Sequence, residues 1–206
     1  MSKVIVYHGS NMEVREPSLE YGRSDADFGV GFYVTLEYDM AEKWAAIKKK
    51  SVINSYELNL DKLDGMEFGL DKGWLDFIVQ NRSGNKRMEL DLSGIDYIMG
   101  ATADDKLFSI IEQYEDNLID VDSAIKAMNA MKIGRQIALR TEDALGALAF
   151  VSSHIVSEDR KRELAVLRKQ ARKETNEIVE LILKEKTKWE NEKPGPMPTI
   201  HRKIEV

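Results

Sequence analysis

The chain has 206 residues, 43% hydrophobic and 32% charged, with a formal net charge of −6, enough for one well-buried core and a small appendage. It has no cysteine, which excludes disulfides, thiolate metal sites and a cysteine nucleophile, and its three histidines show no zinc-ligand spacing. No run approaches the about 20 apolar residues of a membrane span, and the short apolar run Val4–Tyr7 is too brief for a secretory leader, so a soluble cytoplasmic protein is expected. Residues 157–206 carry 13 Lys/Arg against 10 Asp/Glu, a net of +3 that leaves −9 for residues 1–156. That balance argues against a broad basic nucleic-acid face on the body.

Val4–Tyr7 is a β-rich run that Gly9-Ser10 ends just after His8. Residues 11–27 are polar, contain Pro17 and Gly22, and read as a loop with at most one helical turn. Phe32-Tyr33-Val34 is the next strand, and Thr35 is placed to cap a helix in which Leu36, Met40, Trp44 and Ile47 recur near helical spacing. Val52 to Leu60 alternates and predicts a strand with one buried face. Trp74, Leu75 and Ile78 mark a short helix ending near Asn81-Arg82, and Ile95–Met99 is a strand closed by Gly100. Two acidic helices are expected over Asp105–Tyr114 and Val121–Met131, then a strand over Gln136–Arg140 and a helix over Glu142–Phe150 capped by Thr141. Strands with inserted helices, without strict alternation, favour an α+β fold.

From Ser157 to about Trp189 the pattern changes to a charged segment with a narrow apolar stripe of Leu164, Leu167, Ala171, Ile178, Leu181 and Ile182. It predicts one long amphipathic helix, stopped by Pro194-Gly195-Pro196-Met197-Pro198. This helix either lies across the body or serves as a partner-binding arm. The expected organisation is thus a domain over 1–156 and a charged helical tail over 157–206.

Two motifs carry chemistry. Tyr7-His8-Gly9-Ser10 and Phe28-Gly29-Val30-Gly31-Phe32-Tyr33-Val34-Thr35 lie one strand-loop-strand apart. They provide the parts needed to grip a nicotinamide riboside: an imidazole that both donates and accepts, glycines that allow close backbone approach, and aromatic walls. Trp44, eleven residues after Tyr33, can supply a second wall. Each has a purely structural alternative: a strand-end histidine satisfying a turn, a glycine-rich strand entry with Tyr33 in the core, and a core tryptophan.

Together with Gln136-Ile137 opening a late strand, these motifs resemble the His–Tyr–Glu class of ADP-ribosyltransferases, the class of diphtheria toxin and the poly-ADP-ribose polymerases. The chain is still more similar to a bacterial family of small transferase-like domains. Those share the Tyr-His-Gly-Ser start, the Asp27–Tyr33 segment, Trp44-Ala45, a Trp74–Ile78 helix with Asn81-Arg82, and Ala103-Asp104-Asp105. The resemblance covers about Lys3 to Val151 and implies a split β-sheet core with peripheral helices. It implies NAD as substrate and no metal.

On this resemblance His8, Tyr33 and Gln136 would be the catalytic positions. His8 would bind the nicotinamide ribose, Gly9 the carboxamide, Ser10 the adenosine-side ribose and Arg23 adenine or phosphate. Tyr33 would stack on the ring, with Phe28, Gly29, Gly31, Phe32 and Trp44 completing the NAD site. Two departures stand out. Gln136 replaces glutamate, and an amide cannot act as general base. Ala41 also stands where polymerase-like members place a hydroxyl. Asp104 and Asp105, or less directly Glu142, could provide the missing carboxylate, although helix N-terminal capping suits Asp104 and Asp105 somewhat better. Asn81 and Arg82 could organise the acceptor or adenine side.

The resemblance implies a mono-ADP-ribosyltransferase acting on a macromolecule, either protein or RNA/DNA. The expected role is the toxin of a toxin–antitoxin or phage-defence system, with an antitoxin protein as partner and no membrane. The basic clusters Arg160-Lys161-Arg162 and Arg168-Lys169 with Arg172-Lys173 either contact phosphates or form a solvated helix face. Simple NAD hydrolysis and a non-catalytic NAD- or partner-binding module are the alternatives.

Overall fold

In a computed structural model the protein is described over residues 3–103, 107–131 and 133–192, with the backbone alone for 183 and 185–192. The expected carboxylates Asp104 and Asp105 lie outside the described residues. The elements run β1 (Lys3–Ser10), β2 (Phe32–Thr35), α1 (Tyr38–Ala46), β3 (Val52–Asn59), β4 (Gly65–Glu67) and α2 (Lys72–Ser83). They continue with β5 (Tyr97–Ala101), α3 (Phe108–Glu115), α4 (Val121–Asn129), β6 (Arg135–Leu139), α5 (Glu142–Gly146), β7 (Leu148–Ile155) and α6 (Glu158–Glu192). The fold is α+β, around a mixed seven-stranded sheet in the order β4-β5-β6-β2-β1-β3-β7. Among the described residues only β4 and β5 run parallel. Among the described residues no helix is long and apolar enough to cross a membrane.

The expected split sheet is one hydrogen-bonded whole, but its two halves join narrowly. β1 pairs with β3 along all of Lys3–Ser10 and β2 pairs with β6 along Phe32–Thr35, whereas β1 and β2 are in register at Tyr7 and Thr35 alone. Beyond that pair the strands part. Because β1 follows β3 to its end, the strand continues through His8, Gly9 and Ser10 instead of stopping at the glycine.

The pleat sorts the core. Val6, Phe32, Val34, Tyr56, Leu58, Ile137 and Leu139 pack on one face with Ala144 and Leu145 of α5. On the other, Trp74, Phe77, Ile78, Ile98, Ile110, Met128 and Ala138 gather under α2, α3 and α4, and Ala41, Ala45, Ile53, Val156 and Leu164 gather under α1 and α6.

Two strands escaped the sequence reading, and several boundaries shift. The helix that Thr141 caps, through Ala144 N–H to Thr141 Oγ1, ends at Gly146 and not at Phe150. Leu148–Ile155 pairs with β3 instead, where Phe150 packs edge-on against Tyr56 with ring centroids 5.9 Å apart. Three-residue β4 has no periodicity to detect; it sits on β5, and a Cβ on Gly65 would fall 2.0 Å from the Tyr97 ring. β5 itself begins at Tyr97 and contains Gly100. Thr35 does not cap α1. Its hydroxyl donates to the Arg135 carbonyl (2.7 Å) and accepts from Glu37 N–H (3.1 Å), and Glu37 is the cap residue. Leu36 and Ile47 are exposed, and α1 buries Met40, Ala41, Glu42 and Ala45 instead.

The long helix α6 forms as expected, with Ser157 Oγ accepting from Arg160 N–H at its start. It lies across the body, with Leu164, Thr175 and Val179 buried, but Leu167 and Leu181 of the expected stripe face solvent. Arg160 fastens its first turn to α1: Nε and Nη2 donate to both carboxylate oxygens of buried Glu42 at 2.7–3.1 Å.

Candidate functional site

The two motifs meet where β1 and β2 part. His8 Nδ1 donates to the backbone carbonyl of Tyr33 at 2.7 Å, so a side chain bridges the strands where the ladder has stopped. A carbonyl can only accept, which fixes the proton on Nδ1 and leaves Nε2 as an acceptor. Burial pushes the imidazole below its ordinary 6.5; the hydrogen bond to Tyr33 opposes this and the nearby Lys48 ammonium reinforces it. His8 is therefore neutral near pH 7. Its ring stacks on Phe32, with centroids 4.3 Å apart and planes 30° from parallel.

Alternation places His8, Phe32 and Val34 on one face of the sheet and Tyr33 and Thr35 on the other. Gly9, next to His8, faces α1. A Cβ there would lie 2.2 Å from the Ala41 carbonyl oxygen, 2.7 Å from Ala45 N and 2.8 Å from Trp44 Cβ. Glycine at position 9 is thus required by helix packing. Half-buried Trp44 stands on this α1 side, so it and Tyr33 approach the parting from the face opposite His8.

Tyr33 has a structural task of its own. Its hydroxyl donates to the Gly29 carbonyl (2.7 Å) and accepts from Phe28 N–H (2.9 Å), which ties down the loop leading into β2. Burial raises its pKa above the ordinary tyrosine value, so it stays protonated and can make both bonds. Gly29 has φ +76°, the left-handed region that favours glycine, and a Cβ on Gly31 would fall 2.9 Å from the Leu139 carbonyl oxygen. Phe28 is fully buried, its ring alongside Phe68 and Phe77; it is a core residue and not a pocket wall.

Gln136 is buried and lies across the ladder from Thr35. Its Nε2 donates to Asp27 Oδ2 at 2.6 Å. Asp27, read in the sequence only as the start of a motif, is the hub of this region. Its Oδ2 also accepts from Ala103 N–H (2.9 Å), and its Oδ1 from Arg82 Nε (2.9 Å) and Nη2 (2.6 Å). Asn81 Nδ2 donates to the Asp27 backbone carbonyl (2.9 Å), and Arg82 also donates to the Ala103 carbonyl. Asn81 and Arg82, at the end of α2, therefore hold this loop rather than an open surface.

The structure thus joins His8, Phe32, Tyr33, Gly9 and Trp44 around one parting, and Gln136, Asn81 and Arg82 around Asp27. Ser10 ends β1 with its hydroxyl donating to Asn11 Oδ1 (3.4 Å). Arg23 is exposed and pairs with Asp25 at 3.5 Å. Glu142 is exposed in the first turn of α5. Sequence reasoning also missed Asn54, which is fully buried opposite His8. Its amide accepts from Val14 N–H (2.9 Å) and donates to the Met12 carbonyl (3.1 Å), setting the course of the chain as it leaves β1. Among the described residues no three His, Asp or Glu side chains cluster where they could share a metal ion.

A family model described as a protein of unknown function (DUF3990) matches residues 4–150. The chain belongs to the DUF3990 family. The match takes in both β1 and β2, the Asp27 hub and β6, and it stops before α6. No curated protein and no solved structure matches the chain.

Proposed function

We propose that this DUF3990 protein is an NAD-dependent mono-ADP-ribosyltransferase that modifies a macromolecule, acting as the toxin of a toxin–antitoxin or phage-defence system. The observation that carries this reading is the bridge from His8 Nδ1 to the Tyr33 carbonyl at the parting of β1 and β2. The Nε2 of His8 is suited to accept a hydrogen bond from a ribose hydroxyl on its own face of the sheet, and a nicotinamide inserted into the parting would meet Tyr33 and Trp44 from the other face. In the reaction the bond from ribose C1′ to the nicotinamide nitrogen breaks and its electron pair leaves with neutral nicotinamide. The acceptor's lone pair then forms the new bond to C1′ and its proton passes to solvent. Preorganised polarity beside the oxocarbenium-like transition state supplies the acceleration.

Gln136 favours a second reading. Its amide is engaged by Asp27 and cannot deprotonate an acceptor, which suits NAD binding without cleavage, or hydrolysis in which water adds unaided to the oxocarbenium-like centre. One experiment separates these: incubation with NAD labelled on the adenylate phosphate and a lysate divided into protein and nucleic-acid fractions. Label on either fraction, lost in His8→Ala, is the expected result. Free nicotinamide without transferred label makes the protein a hydrolase, and NAD binding without nicotinamide release makes it a binding module. Absence of NAD binding by the wild-type protein overturns all three.

A further inference from the structure

Lys48, Lys49 and Lys50 follow one another in the turn after α1, and all three are exposed. None of them forms an ion pair among the described residues. The neighbouring cations of α6 are neutralised: Arg160 by Glu42 and Glu163, Lys161 by Glu158, and Arg162 by Asp159. Three uncompensated lysines thus stand together on a body whose formal charge is −9. The helix dipole favours a cation in the last turn of α1, but the effect fades beyond it, so it does not account for Lys49 and Lys50.

The turn is also held in place. Lys161 Nζ donates to the Lys49 carbonyl (3.2 Å), Ser51 Oγ to the Lys48 carbonyl (3.3 Å), and Lys48 N–H to the Ala45 carbonyl (2.9 Å). Ala45 is the residue whose backbone abuts Gly9, so the lysines begin one helical turn from the His8-Gly9 end of the parting. Ile47, 58% exposed, stands directly before them.

We propose that Lys48, Lys49 and Lys50 form a docking strip for the phosphodiester backbone of a single-stranded nucleic acid. Ammonium groups on flexible stems bind phosphates as point charges, and the exposed Ile47 side chain offers an apolar contact for a base. A flexible chain with a phosphate at every residue can place successive charges on three consecutive lysines while one of its bases rests on Ile47, a combination that an acidic peptide lacks. A single strand is chosen because its unstacked bases are free to rest on Ile47. That the docked strand is also the ADP-ribose acceptor rests on the transferase reading above.

The test is fluorescence anisotropy on the full chain without NAD, using labelled RNA and DNA strands of about twelve nucleotides and a polyglutamate peptide of similar length. The expected result is oligonucleotide binding whose log affinity falls with log salt at a slope of about −2, for three phosphates at about 0.7 each. A K48E/K49E/K50E variant, its fold checked by circular dichroism, should bind about tenfold more weakly or worse. Unchanged binding by that variant, no oligonucleotide binding at about 50 mM salt, or preference for polyglutamate overturns the strip. Adding labelled NAD then separates the two readings. A bound strand left unlabelled with no nicotinamide released overturns the transferase and leaves the docking intact; label on protein in place of the strand overturns the acceptor assignment.

Discussion

Arg82, in the last turn of α2, reaches back to Asp27 and places Nε and Nη2 at 2.9 and 2.6 Å from one carboxylate oxygen. Both side chains are mostly buried, so the pair fixes the loop that enters β2 to the helical layer. Removing one partner strands the other charge in a poorly solvated place. Asp27→Ala and Arg82→Leu should each cost about 2–4 kcal/mol, read from urea unfolding midpoints. A loss below about 0.5 kcal/mol in both would mean that the loop is held by other contacts.

The neutral state of His8 makes stability depend on pH. Burial lowers its pKa below 6.5, so in the window just below 6.5 the unfolded chain takes up a proton that native His8 does not. Stability therefore falls as pH falls through that window, and the loss is complete below the native pKa. Unfolding midpoints measured from pH 7.5 down to 5 should fall more steeply in the wild type than in His8→Gln. Long-range nitrogen NMR should find the proton on Nδ1 at neutral pH. A charged imidazole at pH 7, or equal slopes in the two proteins, would contradict the assignment.

The elements with strong periodicity were legible in the sequence: alternation marked β3, apolar spacing marked α2 and α6, and Asp-Phe-Gly-x-Gly-Phe-Tyr marked the entry to β2. β7 was hidden because Leu148–Ile155 continues a capped helix and lies mostly exposed, apolar Val151 and Ile155 included, so that no buried face marks it; only pairing with β3 makes it a strand. The stripe of α6 was misread at Leu167 and Leu181 because the body, not the helix pattern, decides which side is covered. At the site, His8, Phe32 and Tyr33 could be found from residue type and order. That His8 and Tyr33 face opposite sides could not, since it depends on the single register pair Tyr7–Thr35. Asp27 was invisible as a hub because its partners come from three other segments of the chain.

Gly9 and Gly146 give a matched pair of substitutions. An alanine Cβ at position 9 would meet α1 backbone at 2.2 Å, whereas position 146 has nothing within 4 Å. Gly9→Ala should lose about 2–3 kcal/mol or shift α1. Gly146→Ala, in a helix, should be neutral or gain up to about 1 kcal/mol. Thermal melts decide between them, and equal melting temperatures would refute the close approach of α1.

The Arg160–Glu42 bridge ties α6 to the body at one end. Glu42 is buried, so Arg160→Met leaves a carboxylate without its guanidinium partner and should lower the unfolding midpoint. The fold should survive, because Leu164 and Val179 still anchor the helix. Amide hydrogen exchange should speed up in the first turns of α6 and in α1 more than in β6. Uniform change across the chain would mean that the bridge stabilises the whole fold and does not act as a local latch.

Tyr33 carries two separable duties, and two variants distinguish them. Tyr33→Phe keeps the aromatic ring but deprives the Gly29 carbonyl and Phe28 N–H of the partner they share. Leaving such groups unsatisfied should cost about 1–3 kcal/mol and accelerate exchange of the Phe28 amide. Tyr33→Ala removes the ring as well. Under the transferase reading the ring is the wall against nicotinamide. The Phe variant should therefore keep most of its nicotinamide release once folded, while the Ala variant falls by about two orders of magnitude or more. If the Phe variant is as inactive as the Ala variant, loop order limits the reaction and not stacking. If both release nicotinamide at the wild-type rate, Tyr33 is a brace for the Phe28–Gly29 loop and the substrate lies elsewhere.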